Sequence, residues 1–218
     1  MSFIGNDIVS LTDVNNRLSF QNDRYLQKSF VHREFDEIKK FGKEWPFLLW
    51  SCKESAYKAR VKQGHRKPFC PINFQVYHSP VCPKGTGNYT ALSGQVENEG
   101  HILTTKSWVC NDYIHTICST EGFDALNLIY GVRKTGNIPR NRQSAGVRKF
   151  ITGELALKLN VDVRNIKIKK NSETEIPFAL ISTNGSEINL TLSHDGEFIA
   201  YACIIPLYAK GVEKKITK

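Results

Sequence analysis

The chain has 218 residues, 40% of them hydrophobic and 23% charged, with a formal net charge of +9. That is enough apolar sequence for one large or two small packed domains, and no run is long enough to cross a bilayer. The opening Met-Ser-Phe-Ile-Gly-Asn-Asp has no basic segment followed by an apolar run, so no secretory signal is expected.

The six cysteines, at positions 52, 70, 82, 110, 118 and 203, are scattered and form no CxxC pair, which gives no support to a zinc site. Several lie in apolar stretches, where a reduced cysteine acts as a small core residue. A cytoplasmic protein is expected, in which the N-x-T/S triplets at Asn88, Asn184 and Asn189 stay unglycosylated. The basic balance suits an acidic partner: nucleic acid, anionic lipid, a phosphorylated ligand or an acidic protein. Scattered lysines also serve solubility alone, and Lys210 to Lys218 reads as a solvated tail.

In chain order, residues 3–11 read as a short apolar strand broken by Asp7. Residues 13–40 read as helical pieces, with Leu18, Tyr25, Leu26 and Phe30 at helical spacing and Arg17, Arg24, Lys28 and Arg33 between them. The strongest helix is 46–63. Pro46 suits its first turn, Leu49, Ala56 and Val61 line a buried side with Trp50 or Cys52, and Gly64 ends it. Residues 68–120 alternate apolar and polar between Gly85, Gly87, Gly94 and Gly100, a meander of antiparallel strands.

Residues 131–143 are polar, basic and Gly/Pro-containing, and read as a linker. A helix over about 144–160 follows, carrying Val147, Phe150, Ile151, Leu155 and Leu159 on one side. Strands are expected near 163–169, 177–182, 187–192 and 197–205. The expected fold class is α+β: two related lobes, 1–130 and 144–218, each a helix packed on an antiparallel sheet.

Three segments carry chemistry. In the helix 46–63, Glu54 and Lys58 are four apart and share a face, with Lys53 beside them. Such a pair is commonly a solvated ion pair, but Trp50 and Tyr57 make this helix partly buried, where polar groups need partners. Asp7 is a poor strand residue, and Gly5 before it permits close approach of a ligand or another segment. If Asp7 and Glu54 face each other, they form a hard oxygen site of the kind magnesium takes alongside phosphate oxygens and water. Finally, Ser193-His194-Asp195-Gly196 reads as a tight hairpin, with Ser193 and His194 available to phosphate oxygens. Neighbours in sequence cannot form a Ser-His-Asp triad, and there is no G-x-S-x-G, P-loop or G-x-G-x-x-G.

The order of these segments resembles the 4′-phosphopantetheinyl transferase superfamily, in the manner of its small holo-acyl-carrier-protein synthase type. The family's Gly-x-Asp-Ile-Val strand is Gly5 to Val9 here, its Trp-x-x-Lys-Glu-x-x-x-Lys helix is Trp50 to Lys58, and its Ser-His strand end is Ser193-His194. Arg24 to Phe30 followed by Glu34 is similar to its Arg-x-Leu-x-x-x-Phe-x-x-x-Glu stretch. The chain departs from the pattern in three places. Asn6 stands where the family has Ile or Val. Val9 stands where larger members carry a third acidic ligand. Glu175-Ile176-Pro177 replaces Gly-Lys-Pro, which leaves Lys169, Lys170 or Arg148 as substitutes for the missing lysine.

The resemblance implies a monomer with a site between its two lobes, the Ser-His lobe coming second rather than first. It implies coenzyme A as substrate, Mg²⁺ held by Asp7 and Glu54, and Lys53, Lys58, Arg148, Ser193 and His194 on the phosphates. Glu54 and Lys58 are the implied catalytic pair, with Glu54 as base. The acceptor is the serine of an acidic apo acyl carrier protein, as in fatty acid biosynthesis, or of a peptidyl carrier domain, and Arg17, Arg24 and Lys28 are candidates for docking it. Two other readings remain open: a non-catalytic binder of coenzyme A or carrier protein, and a basic nucleic-acid-binding protein using Arg133, Lys134, Arg140, Arg142, Arg148 and Lys149.

Overall fold

A computed structural model describes residues 2–78, 89–124, 126–136 and 140–205, without the side chains of Arg17, Tyr89 and residues 140–143. The first lobe holds β1 (Ile4–Ser10), three short helices α1 (Val14–Ser19), α2 (Asp23–Ser29) and α3 (His32–Phe41), the long α4 (Trp45–Lys62), and β2 (Gln75–His78), β3 (Tyr89–Asn98), β4 (His101–Cys110) and β5 (Tyr113–Ser119). The second holds β6 (Leu128–Lys134), α5 (Arg140–Leu159), β7 (Ile166–Lys170), β8 (Pro177–Ile181), β9 (Ser186–Asp195) and β10 (Phe198–Ile204). The sheet orders are β1-β5-β4-β3-β2 and β6-β10-β9-β8-β7, with every pairing antiparallel. The expected α+β plan of two helix-on-sheet lobes is what the structure shows. No described helix is long and apolar enough to cross a membrane.

Each lobe has its own core. Leu49, Cys52, Ala56 and Ala59 of α4 pack on Val76, Val96, Leu103, Ile114 and Cys118 of the first sheet. Ile151 and Leu155 of α5 pack on Ala179, Ile188, Leu190, Tyr201 and Cys203 of the second. Burying side chains of this size stabilises by roughly 1.5–3 kcal/mol each. The lobes meet along β1, which packs against β9 and β10. Ile4 joins Ile117 and Ala202 at one end of that junction, and Ile8 joins Phe198 and Ala200 at the other.

Every residue of β1 is buried, between α4 on one side and the second lobe on the other. Gly5 lets α4 come this close: a Cβ there would lie 2.0 Å from the Ser55 carbonyl oxygen. The helix ends at Lys62 with Gln63 as its cap, and Gly64 takes the left-handed φ of +102° that its missing side chain favours.

The 131–143 stretch is corrected. Residues 131–134 belong to β6, paired with β10, and 140–143 open α5. The polar, glycine-containing sequence hides a strand for a packing reason. Gly131 lies under the Tyr201 ring, where a Cβ would come within 2.8 Å, and the Arg133 guanidinium sits over the Phe150 ring at 5.6 Å. The lobe boundary therefore precedes β6. The expected tail at 210–218, Cys82 and the Asn88 triplet lie outside the described residues.

Candidate active site

α4 runs along β1 and presents Glu54, Lys58 and Lys62 on successive turns. The Lys58 ammonium uses three acceptors: it donates to the Asn6 carbonyl and to Asp7 Oδ1, both at 3.0 Å, and lies 3.0 Å from Glu54 Oε1. Glu54 Oε2 accepts from Trp50 Nε1 at 3.1 Å. The Asp7 side chain is only 5% exposed, and its Oδ2 has no hydrogen-bond partner.

Two carboxylates therefore share one ammonium. Burial, reinforced by the charge of Glu54, pushes the Asp7 carboxyl up to about 8 against the pull of Lys58. Burial also opposes ionisation of Glu54, but Lys58 outweighs it and holds Glu54 below the usual carboxylate range. The Lys58 ammonium resists its own burial because both carboxylates hold its proton. Near neutrality the cluster is Glu54⁻, Lys58⁺ and a protonated Asp7, with a buried oxygen facing no donor.

The cluster opens into a cavity of about 230 Å³ lined by Asp7, Tyr25, Trp50, Glu54, His194 and Asp195. Larger hollows of 480, 490 and 630 Å³ lie elsewhere, but none has this titratable cluster in its wall. The second lobe contributes the hairpin between β9 and β10, which carries His194 and Asp195. Asp195 Oδ2 accepts the Ser10 amide at 2.8 Å and the Asn16 side-chain amide, so it ties the hairpin to the end of β1.

Asp7, Glu54, Lys58 and His194 thus come together as the sequence suggests. Lys53 does not. Its side chain is fully buried, 100° around the helix from Glu54, with its ammonium 2.7 Å from Glu34 and donating to the carbonyls of Pro71 and Phe74. Glu34 in turn accepts the Val31 and Val76 amides. This pair braces α3, α4 and β2 and leaves nothing for a phosphate.

Ser193 stands apart from the cavity. It is 5% exposed, its Oγ accepts from Asn6 Nδ2 at 2.8 Å, and it lies in the lobe junction rather than in the cavity wall. Arg148 sits on α5, which packs on β7, β9 and β10, and does not line the cavity. Lys170 pairs with Glu175 within its own hairpin at 2.7 Å. Arg24 and Lys28 are exposed on α2, the helix that lends Tyr25 to the cavity, and the side chain of Arg17 lies outside the described residues.

Several participants escaped sequence reasoning. Tyr25 and Trp50 form one wall, their rings 5.6 Å apart. Lys62, one turn beyond Lys58, donates to the carbonyls of Ile4 and Leu190, both at 2.7 Å, and to Asn189 Oδ1 at 2.9 Å, binding the two lobes. Burial lowers Lys62 to about 7, yet three acceptors match the three N–H groups that only the ammonium form supplies.

Comparison with known proteins bears on the family of the chain. A family model described as the 4′-phosphopantetheinyl transferase superfamily matches residues 3–118, just over half of the chain. That segment contains Asp7, Glu54 and Lys58, while Ser193 and His194 lie beyond it. No curated protein and no solved structure matches. The family acts with coenzyme A on carrier proteins. With a matching model over more than half its length and two helix-on-sheet lobes meeting at a carboxylate–lysine cluster, the chain belongs to the 4′-phosphopantetheinyl transferase superfamily.

Proposed function

We propose that this protein transfers the 4′-phosphopantetheine group of coenzyme A to a serine of an apo acyl or peptidyl carrier protein, in an Mg²⁺-dependent reaction releasing 3′,5′-ADP. The observation that carries this reading is the Asp7–Lys58–Glu54 cluster beside His194 at the lobe junction. One chain supplies both walls of the cavity, so the site needs no second copy and the protein works as a monomer.

The residues fit a hard divalent cation. Asp7 Oδ2 is buried without a donor, and the cluster holds two carboxyl groups against one lysine. Among the described residues no three His, Cys, Asp or Glu side chains form a ready-made cluster, so Asp7 and Glu54 would hold the ion with phosphate oxygens and water completing its shell. When bound, Mg²⁺ draws charge from the pyrophosphate oxygens.

The chain's own groups do the rest. Lys58 lies between Asp7 and Glu54 and neutralises the phosphoryl group under attack. His194 contacts nucleotide phosphate from the second lobe. Tyr25 and Trp50 exclude water from one side. The serine oxygen forms the new bond to the β-phosphorus, the bond from that phosphorus to the 3′,5′-ADP oxygen breaks, and the hydroxyl proton passes to Glu54. Arg24 and Lys28, exposed beside the cavity, face the acidic carrier.

Intact-mass spectrometry of an apo carrier protein, incubated with this protein, coenzyme A and Mg²⁺, tests the reading. The expected result is a gain of one phosphopantetheinyl group, abolished by EDTA and by Glu54→Ala. Coenzyme A binding with no gain on any acyl or peptidyl carrier identifies a non-catalytic binder instead. Absence of binding together with salt-sensitive affinity for generic DNA or RNA turns the reading to nucleic acid.

A further inference from the structure

β1 is an edge strand: it pairs with β5 on one side and with no strand on the other. A strand edge presents unpaired amides and carbonyls that must be satisfied. The even-numbered residues face that edge, and each recorded partner there is a side chain. The Ile4 and Asn6 carbonyls accept from Lys62 and Lys58 of α4. The donors are taken by β9: the Asn6 amide donates to Thr191 Oγ1 at 3.1 Å, and the Ser10 amide to Asp195 Oδ2 at 2.8 Å. Between these two, Asn6 Nδ2 donates to Ser193 Oγ at 2.8 Å.

Thr191, Ser193 and Asp195 alternate along β9, so all three project from one face. Thr191 is 3% exposed and Ser193 is 5% exposed. Asn6 completes the match. It is fully buried, and its second Nδ2 hydrogen points at His115 Nε2, 3.3 Å away. Burial holds the His115 ring neutral, with its pKa lowered to about 3, and a neutral imidazole nitrogen can accept that hydrogen. Val or Ile at position 6 could not make these bonds.

We propose that Ser193 is a positioning residue rather than a phosphate ligand: with Thr191 and Asp195 it forms a polar zipper onto β1 that fixes the register of the lobes and holds the turn carrying His194 at the rim of the Asp7–Glu54 cavity. His194 lies between two of the zipper's teeth and projects from the opposite face of β9, so its backbone is set from both sides while the residue itself stays exposed. This rests on the transferase reading for its functional consequence, but the geometry of the zipper does not depend on it.

The test uses the full-length protein and two readouts. The first is the His194 ring resonance in a ¹H–¹³C spectrum, assigned through His194→Gln and recorded without coenzyme A. The second is the steady-state split between KM for coenzyme A and kcat. Ser193→Ala and Asp195→Ala are expected to shift the His194 resonance and raise KM about tenfold, within the range of coupled neighbours, with kcat kept within about threefold. Asp195→Asn keeps an acceptor for the Ser10 amide and is expected to restore both readouts. Asn6→Val is expected to match Ser193→Ala, and the double variant to be no worse than either.

A direct phosphate ligand behaves otherwise. Ser193→Ala would raise KM with the His194 resonance unmoved and Asn6→Val at wild-type values, and that result overturns the proposal. So does an Asp195→Asn variant as impaired as Asp195→Ala. If Asn6→Val does not fold, the Asp195 pair decides. If the wild-type protein neither binds coenzyme A nor transfers from it, the transferase reading fails, and the His194 resonance still judges the zipper.

Discussion

Two lysine–carboxylate clusters sit on different faces of one helix. Lys53 meets Glu34 one to one, both side chains are fully buried, and the backbone carbonyls of Pro71 and Phe74 take its remaining hydrogens. Lys58 serves two carboxylates, is 27% exposed, and leaves Asp7 Oδ2 without a partner. The first cluster is closed and charge-balanced, as a structural brace should be. The second sets two carboxyl groups on one lysine, which keeps a proton on Asp7, and it opens to a cavity, a combination found at functional sites. What separates the two is satisfaction of the carboxyl groups: Glu34 has its partners, while Asp7 Oδ2 has none and stands at a cavity.

The contrast can be broken most strongly at Lys53. Lys53→Met leaves Glu34 buried and uncompensated, and should cost about 3–5 kcal/mol in urea unfolding, while Lys53→Met with Glu34→Gln recovers much of it. Full stability in the single variant would show that the brace is not charged. At the open cluster, Glu54→Gln should leave stability nearly unchanged but cut carrier modification by on the order of 10²–10³, read by mass spectrometry.

Asp7→Asn sharpens the comparison through pH. The folded-state value of about 8 lies above the ordinary 3.8, so the native protein holds a proton that the unfolded chain has lost. That contribution to stability is complete below the ordinary value and disappears as pH rises through about 8. Urea titrations between pH 5 and 8 should therefore show a downward slope that Asp7→Asn flattens. On the proposed Mg²⁺ site the same proton leaves as the ion binds, so calorimetry in buffers of different ionisation enthalpy should register proton release below pH 8. A pH-independent binding heat would remove the shared proton from the account. The smallest effect belongs to the rim: Arg24→Glu with Lys28→Glu should weaken carrier binding by about 1 kcal/mol, less at high salt, and leave coenzyme A binding unaltered.

Most of the architecture was legible because its periodicities were clear. The α4 pattern placed Glu54 and Lys58 together, and the alternation after residue 68 announced the meander. The site was half legible. Asp7 stood out because an acid in an apolar strand needs a reason, and Glu54 with Lys58 because of their spacing. Lys53 was misread because adjacency in sequence is 100° apart on a helix, a rotation that took it into the brace with Glu34. Ser193 is placed by strand parity, which sends it with Thr191 and Asp195 toward β1, a direction that the hairpin signal does not reveal. Asp195 was absorbed into the hairpin signal and its latch on Ser10 could not be seen, since nothing local tells which distant amide a turn residue will accept. The β6 strand was lost because Gly131 and Arg133 look like linker until the rings of Tyr201 and Phe150 are in view.

One feature of β1 bears on how such a protein can change over generations. Gly5 offers nothing to a ligand, yet the Ser55 carbonyl stands where its Cβ would be. The missing atom sets the depth at which α4 rests, and so the height of Glu54, Lys58 and Lys62 along the junction together. Drift at exposed positions such as Arg24 or Lys28 would disturb no packing. Any side chain at position 5 would lift all three at once, so a residue with no chemistry of its own governs the placement of the whole cluster.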